Sequence, residues 1–185
     1  MDFLLKLEFW TQAVGFVALA FFLLGYLQRK RKNILIFNLT SRVLYILQYL
    51  LNGTPSGAVL DVAGSVSTVL AQKKDTSVIK RNIKAVIIVM NLFIIGAGVY
   101  SMIYFDDTFG FLPILGVMFH TNAFWIDDEK TIRRLSLIGS PFWLAYNAIS
   151  GLPFACIGDL LSIVSLGIAM YRYDRKGSKE KCADE

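Results

Sequence analysis

Apolar residues run along the chain in seven blocks, each close to the ~20 residues that a helix needs to cross a bilayer. The blocks lie near residues 9–28, 33–51, 55–72, 84–104, 109–126, 131–149 and 153–172, and short polar or basic stretches divide them. The second and third blocks meet at Gly53-x-Pro55, and the sixth and seventh at Gly151-x-Pro153. In such a turn glycine closes one helix and proline opens the next. The pattern predicts an all-α membrane protein of seven transmembrane helices.

The two Gly-x-Pro turns are parts of a larger repetition. A shift of 98 residues carries Tyr45–Asp61 onto Trp143–Asp159 without a gap, placing Tyr45 on Trp143 and Asp61 on Asp159. The same shift sets Gly15 on Pro113, Ala18 on Gly116 and Ser67 on Ser165. Internal repetition of this length fixes the architecture before any other feature does. Residues 9–72 and 109–172 are read as two copies of a three-helix unit. Units with an odd helix count lie parallel only if one helix intervenes, and the block at 84–104 has no counterpart in the repeat. The expected division is 1–80 for the first bundle, 81–108 for the linker helix, 109–173 for the second bundle and 174–185 for a tail.

Composition agrees with burial in lipid. Hydrophobic residues make up 55% of the chain and charged residues 18%, with mean hydropathy +0.54. A soluble domain of this size has too much surface to hide so many apolar side chains. The net charge of +5 would suit nucleic acid, but its placement does not. Basic residues gather at Arg29–Lys32, Lys73–Lys84, Lys130–Arg134 and Arg172–Lys181, which fall on one face if the N-terminus is outside. Under the positive-inside rule the C-terminus is then cytoplasmic. Anionic lipid is the only contact these clusters suggest beyond topology. The first apolar block runs into Arg29-Lys30 instead of a small-residue cleavage site, and no lipidation motif is expected to act.

Polar residues inside the apolar blocks carry the candidate chemistry, because a charge in the membrane has a functional reason by default. Arg42 lies about 15 Å along its helix from Lys32, near the midplane. Asp61 and Asp159 lie about 9 Å beyond their prolines. Asn38, Arg42, Tyr45 and Tyr49 share one helical face, and the copy positions Ser136, Ser140, Trp143 and Asn147 make the same stripe. Two equivalent stripes should face one another across a pseudo-two-fold axis. On the functional reading Arg42 binds an anionic group, Tyr45, Tyr49, Trp143 and Asn147 line a solute site, and Asp61 and Asp159 titrate. On the structural reading Arg42 pairs with Asp61 or Asp159, and the aspartates are acids favoured near a helix N-terminus. His120 is either a proton relay or inner gate, or a hydrogen-bonded packing residue. Gly15, Ala18, Gly25 and Gly116, with Gly96-Ala97-Gly98, read as close helix packing. Pro113 and Pro141 are candidate hinges, and Asn91 suits an interhelical hydrogen bond.

The run Leu112-Pro113-Ile114-Leu115-Gly116, the stretch Trp143 to Gly151 with Asn147, and Gly15-Phe16-Val17-Ala18 with Phe21 resemble the YgjV family of bacterial inner-membrane proteins. That resemblance covers all seven helices and implies the inner membrane. More distantly, the parallel three-one-three plan is similar to the SWEET and PQ-loop transporter superfamily. It implies a substrate pocket between two bundles, with Tyr45 and Trp143 as its aromatics and Asp61 and Asp159 as its third-helix polar residues. The chain departs from that pattern in having no Pro-Gln dipeptide and in placing carboxylates where sugar carriers tend to have an amide.

No phosphate loop, zincin motif or Ser-His-Asp set occurs, and Cys156 and Cys182 have no metal-site spacing. The seventh block has no lysine for a Schiff base. Neither catalysis nor a cofactor nor a metal is expected. The expected function is transport of a small polar solute by alternating access, with proton coupling as an option. A non-transporting scaffold or regulator, whose intramembrane charges are structural, is the alternative. Nucleic acid is not an expected partner, the bilayer is, and the sequence leaves a homo-oligomer open.

Overall fold

The computed structural model describes residues 2–26 and 31–174. Among these residues there is no strand. The helices are α1 (Asp2–Tyr26), α2 (Arg31–Leu51), α3 (Pro55–Gln72), α4 (Ser77–Arg81), α5 (Ile83–Tyr104), α6 (Phe111–Trp125), α7 (Glu129–Ile149) and α8 (Pro153–Ala169). A π-helical turn, Met170–Asp174, continues α8. The seven long helices fall on the seven apolar blocks, although α1 begins at Asp2 and the short α4 has no hydropathy signal. Arg29, Lys30 and the basic tail from Arg175, with Cys182, lie outside the described residues.

Three helical stretches among the described residues are long and apolar enough to cross a membrane: Leu7–Leu24, Ile83–Tyr104 and Pro153–Arg172. The helices α2, α3 and α7 are diluted by Arg42, by Asp61 with its serines, and by the charged first turn of α7. Their polar residues point inward, as described below.

Both Gly-x-Pro turns fold identically. Gly53 has φ 72° and Gly151 φ 70°, the left-handed region where a Cβ meets the backbone. Gly53 N–H donates to Leu50 O and Thr54 N–H to Tyr49 O. At the copy positions Gly151 N–H donates to Ala148 O and Leu152 N–H to Asn147 O. These bonds satisfy the last carbonyls of α2 and α7, and Pro55 and Pro153 then open α3 and α8, where a missing N–H does no harm.

The helices α1, α2, α3, α6, α7 and α8 make a closed ring, each packing on the next and α8 on α1. The linker helix α5 packs outside, on α3 and α6. The first helix of each repeat therefore packs on the third helix of the other, α1 on α8 and α6 on α3. The two repeats thus touch through two helix pairs. Within each repeat, small residues set how closely the first two helices cross. Ser41 donates to Ala18 O at 2.9 Å where α2 crosses α1. Gly139 and Gly116, 98 residues on from that pair, bring α7 and α6 so close that a Cβ on Gly139 would lie 3.0 Å from Gly116 O. A Cβ on Gly116 would lie 2.6 Å from the Trp143 ring. Gly15 likewise makes room for the buried Gln48 amide. Gly25 has no described surroundings, and Gly96 meets open space, so only Gly98 of its trio packs closely, against Ile114 and Leu60.

Asn91 and Asn122 exchange side-chain hydrogen bonds at 3.0 and 2.9 Å, joining α5 to α6 as expected of an interhelical amide. Pro113 sits in the first turn of α6, where no intrahelical N–H is lost, so it starts the helix and does not hinge it. Pro141 lies inside α7, which runs unbroken past it.

Replacing Gly53 or Gly151 with alanine should lower stability by about 1–2 kcal/mol each, the cost of a left-handed L-residue. No atom lies within 4 Å of either added methyl, so the loss should be similar at the two sites and absent in D-alanine semisynthetic protein. Thermal unfolding in detergent measures it. At the opposite end Asp128 caps α7, accepting from the Thr131 N–H at 2.8 Å and from the Thr131 hydroxyl. Those bonds, the hydroxyl's first, hold its carboxyl below the usual value. A depressed folded-state value gives stability that is present above the unfolded value and lost as pH falls through the folded one. Asp128→Ala should therefore lower the melting temperature at neutral pH, and the gap should close below pH ~4.

Candidate functional site

The two repeats meet at their own equivalent positions. Tyr49 donates its hydroxyl hydrogen to Asn147 Oδ1 at 2.8 Å, and the two residues are 98 apart. Asn52 donates to the Ser150 carbonyl at 2.8 Å, again across 98 residues. A residue touches its own copy only on the symmetry axis, so these bonds locate the pseudo-two-fold at the end of the ring that holds the Gly-x-Pro turns. Buried Tyr49, Trp143 and Tyr146 pack around the axis with ring centroids 6.1–6.4 Å apart. Tyr146 also accepts from Gly57 N–H at 3.2 Å and donates to Asp107 Oδ2 at 3.0 Å, tying α7 to α3 and to the loop after α5.

Beyond this plug, inside the ring, lies a cavity of about 380 Å³. Every sequence-predicted site residue lines it: Arg42, Tyr45, Tyr49, Asp61, His120, Trp143, Asn147 and Asp159. Of the stripe members, Ser136 and Ser140 line it too, while the Asn38 side chain lies outside the described residues. Five pairs of copy positions face one another here: Phe22 with His120, Arg42 with Ser140, Tyr45 with Trp143, Tyr49 with Asn147, and Asp61 with Asp159. Phe124, Ile132 and Leu166 belong to the lining and lie near the helix ends that carry the basic loops. The cavity thus runs from the aromatic plug toward the basic end.

The charges are not arranged alike in the two repeats. Arg42 Nη1 pairs with Asp61 Oδ1 at 3.1 Å and donates to the Ser65 hydroxyl at 3.2 Å. Asp159 accepts from Asn147 Nδ2 at 2.7 Å. Among the described residues no cation lies within ion-pairing distance of Asp159. The Tyr45 hydroxyl is buried and has no protein partner among the described residues. His120 Nε2 lies 3.0 Å from Ser136 O and 3.2 Å from Ser140 Oγ, so its packing role is occupied while its ring still borders the cavity. The structural reading of Arg42, an ion pair with Asp61, is realised in this conformation.

Sequence reasoning missed several members. Phe22 and Leu166 have no polarity that separates them from lipid-facing neighbours, and Ser162 belongs to no polar stripe at helical spacing. Tyr146 and Asp107 could have been found only by knowing that the loop after α5 folds back over α7. The Tyr49–Asn147 contact did have a signal, the repeat offset itself. The fully buried Gln48 amide, with neither polar atom bonded, has the same offset to Tyr146 but no visible partner.

Removing one partner of a buried pair leaves an uncompensated charge. Arg42 keeps a quarter of its side-chain exposure, so Asp61→Asn should cost roughly 3 kcal/mol, the low end for such pairs. The double variant Arg42→Met with Asp61→Leu should recover most of that loss in chemical unfolding.

No curated protein and no solved structure matches this chain. The sequence pattern of the Imp-YgjV family, described as a bacterial inner membrane protein, matches residues 9–177. That span holds both copies of the repeat, the linker helix and every cavity-lining residue. The chain belongs to the Imp-YgjV family of bacterial inner membrane proteins.

Proposed function

We propose that this protein is a carrier of a small polar solute, crossing the inner membrane seven times with its N-terminus outside and its C-terminus in the cytoplasm. The single observation that supports this reading is a polar, aromatic cavity on the axis where equivalent positions of two repeats meet. A carrier needs a site that two similar halves can expose alternately, and midplane sites between repeats have that property. The two parallel three-helix units with a linker helix, as in SWEET-like carriers, supply the halves here, rocking about the cavity. With the basic loops inside, the cavity leads toward the cytoplasm and the Tyr49–Asn147 plug closes the outer side. Asp159, lacking a cation partner, and Asp61 are the groups through which a proton gradient would act, and His120 borders both. One chain supplies both halves of the site, and no catalytic step is assigned to it.

The second reading is a non-transporting scaffold or regulator. The Arg42–Asp61 ion pair favours it, since a purely structural seam would be closed by such pairs. That reading gives no account of the cavity beside the pair.

Protein reconstituted in liposomes should take up a labelled polar metabolite when a pH gradient is imposed, and Asp159→Asn should abolish the gradient's effect while leaving the protein folded. A panel in which no solute moves under any gradient would sink the carrier reading. Loss of stability in Asp159→Asn with no flux in the parent protein would establish the structural one.

A further inference from the structure

The charge balance of the cavity narrows what it can hold. Arg42 is already compensated by Asp61 and bonded to Ser65. Asp159 has one amide donor on Oδ2 and, among the described residues, no cation within ion-pairing distance, so its carboxylate lacks the charge partner that Asp61 has. Tyr45 and Trp143 line the cavity together with Asp159. Gly158, just before Asp159, leaves room for the Tyr45 hydroxyl, which a Cβ there would meet at 2.9 Å. Trp143 lies one turn before Asn147, whose amide holds Asp159. An anion would meet repulsion from Asp159 and find Arg42 engaged. A sugar needs several free neutral donors and acceptors, whereas Asn147 is bonded on both sides and the Ser41 and Ser140 hydroxyls donate to main-chain carbonyls. A carboxylate in a cavity lined by aromatic side chains instead suits a cation, through charge and the ring quadrupole.

We propose that the solute is a small organic cation, an amine in its ammonium form, bound at Asp159 between Tyr45 and Trp143. This inference rests on reading the cavity as a solute site and names the class of molecule it takes. The other charged or titratable groups lining the cavity are Arg42, Tyr45 and Tyr49 on α2, Asp61 on α3 and His120 on α6. Arg42 and Asp61 cancel, and His120 is held by Ser136 and Ser140. Asp159 therefore carries the recognition.

The test is binding to the purified full-length protein at constant ionic strength, read by thermal stabilisation. A ligand that binds only the folded state raises the melting temperature by mass action. The probes are tetramethylammonium, ethylammonium, acetate, glycine betaine and glucose. The two ammonium ions should stabilise the protein and the other three should not. Asp159→Asn should weaken ammonium binding about thirtyfold or more, as expected for removing a buried charge partner. Asp159→Glu, which keeps the charge, should retain part of the binding and guards against misfolding of the asparagine variant. No stabilisation of the parent protein by either ammonium ion overturns the inference. So does glycine betaine binding as tightly as tetramethylammonium, since that makes the site one for zwitterions, or binding unchanged in Asp159→Asn. Transport of some other solute with no competition from ammonium would also overturn it while leaving the carrier reading intact. Ammonium bound at Asp159 with no flux of any solute would do the reverse.

Discussion

A hydrogen bond between a residue and its own copy is possible only where two halves of a molecule share an axis, and the Tyr49–Asn147 bond sets that axis here. Everything nearer the basic end is arranged around it. The bond is made in the buried centre of the ring, where an unpaired hydroxyl or amide would cost free energy. Its two partners are therefore held firmly, and Asn147, with its carbonyl occupied, turns its amide toward Asp159. A single contact thus couples the closed end of the cavity to the carboxylate inside it.

Symmetry of the backbone did not require symmetry of charge. The glycine turns, the helix crossings at Ala18 with Ser41 and at Gly116 with Gly139, and the paired aspartates all repeat. The side chains between them have diverged. Arg42 corresponds to Ser140, and Phe22 corresponds to His120. One aspartate is consequently neutralised by a cation and the other is not. Duplication supplied a space with two similar walls, and substitution on one wall supplied its polarity.

Much of this is legible in the amino-acid sequence. The Gly-x-Pro turns mark helix ends to within a few residues because proline and glycine have backbone demands that no neighbour overrides. The cavity residues are legible because a polar stripe at helical spacing, repeated at one offset, has nowhere to face but its copy. The pairing of α1 with α8 and of α3 with α6 is not legible, since hydropathy reports that a helix is apolar and not which apolar partner it meets. Tyr146 and Asp107 escape notice for a related reason. Their bond depends on how a loop folds over a helix end, which no periodicity encodes. Gln48 remains without a physical account, a buried amide with neither polar atom bonded.

The closed ring has a bearing on how the protein is made. Its final contact joins α1 to α8, so the ring cannot be completed until the last helix has left the ribosome, and contacts so distant in the chain form late. Membrane-embedded charge cannot wait that long. Arg42 finds Asp61 only 19 residues away, and Asp159 finds Asn147 only 12 away, each within a single repeat. Each half of the newborn chain can thus pair its own carboxylate in the lipid before it has met the other half.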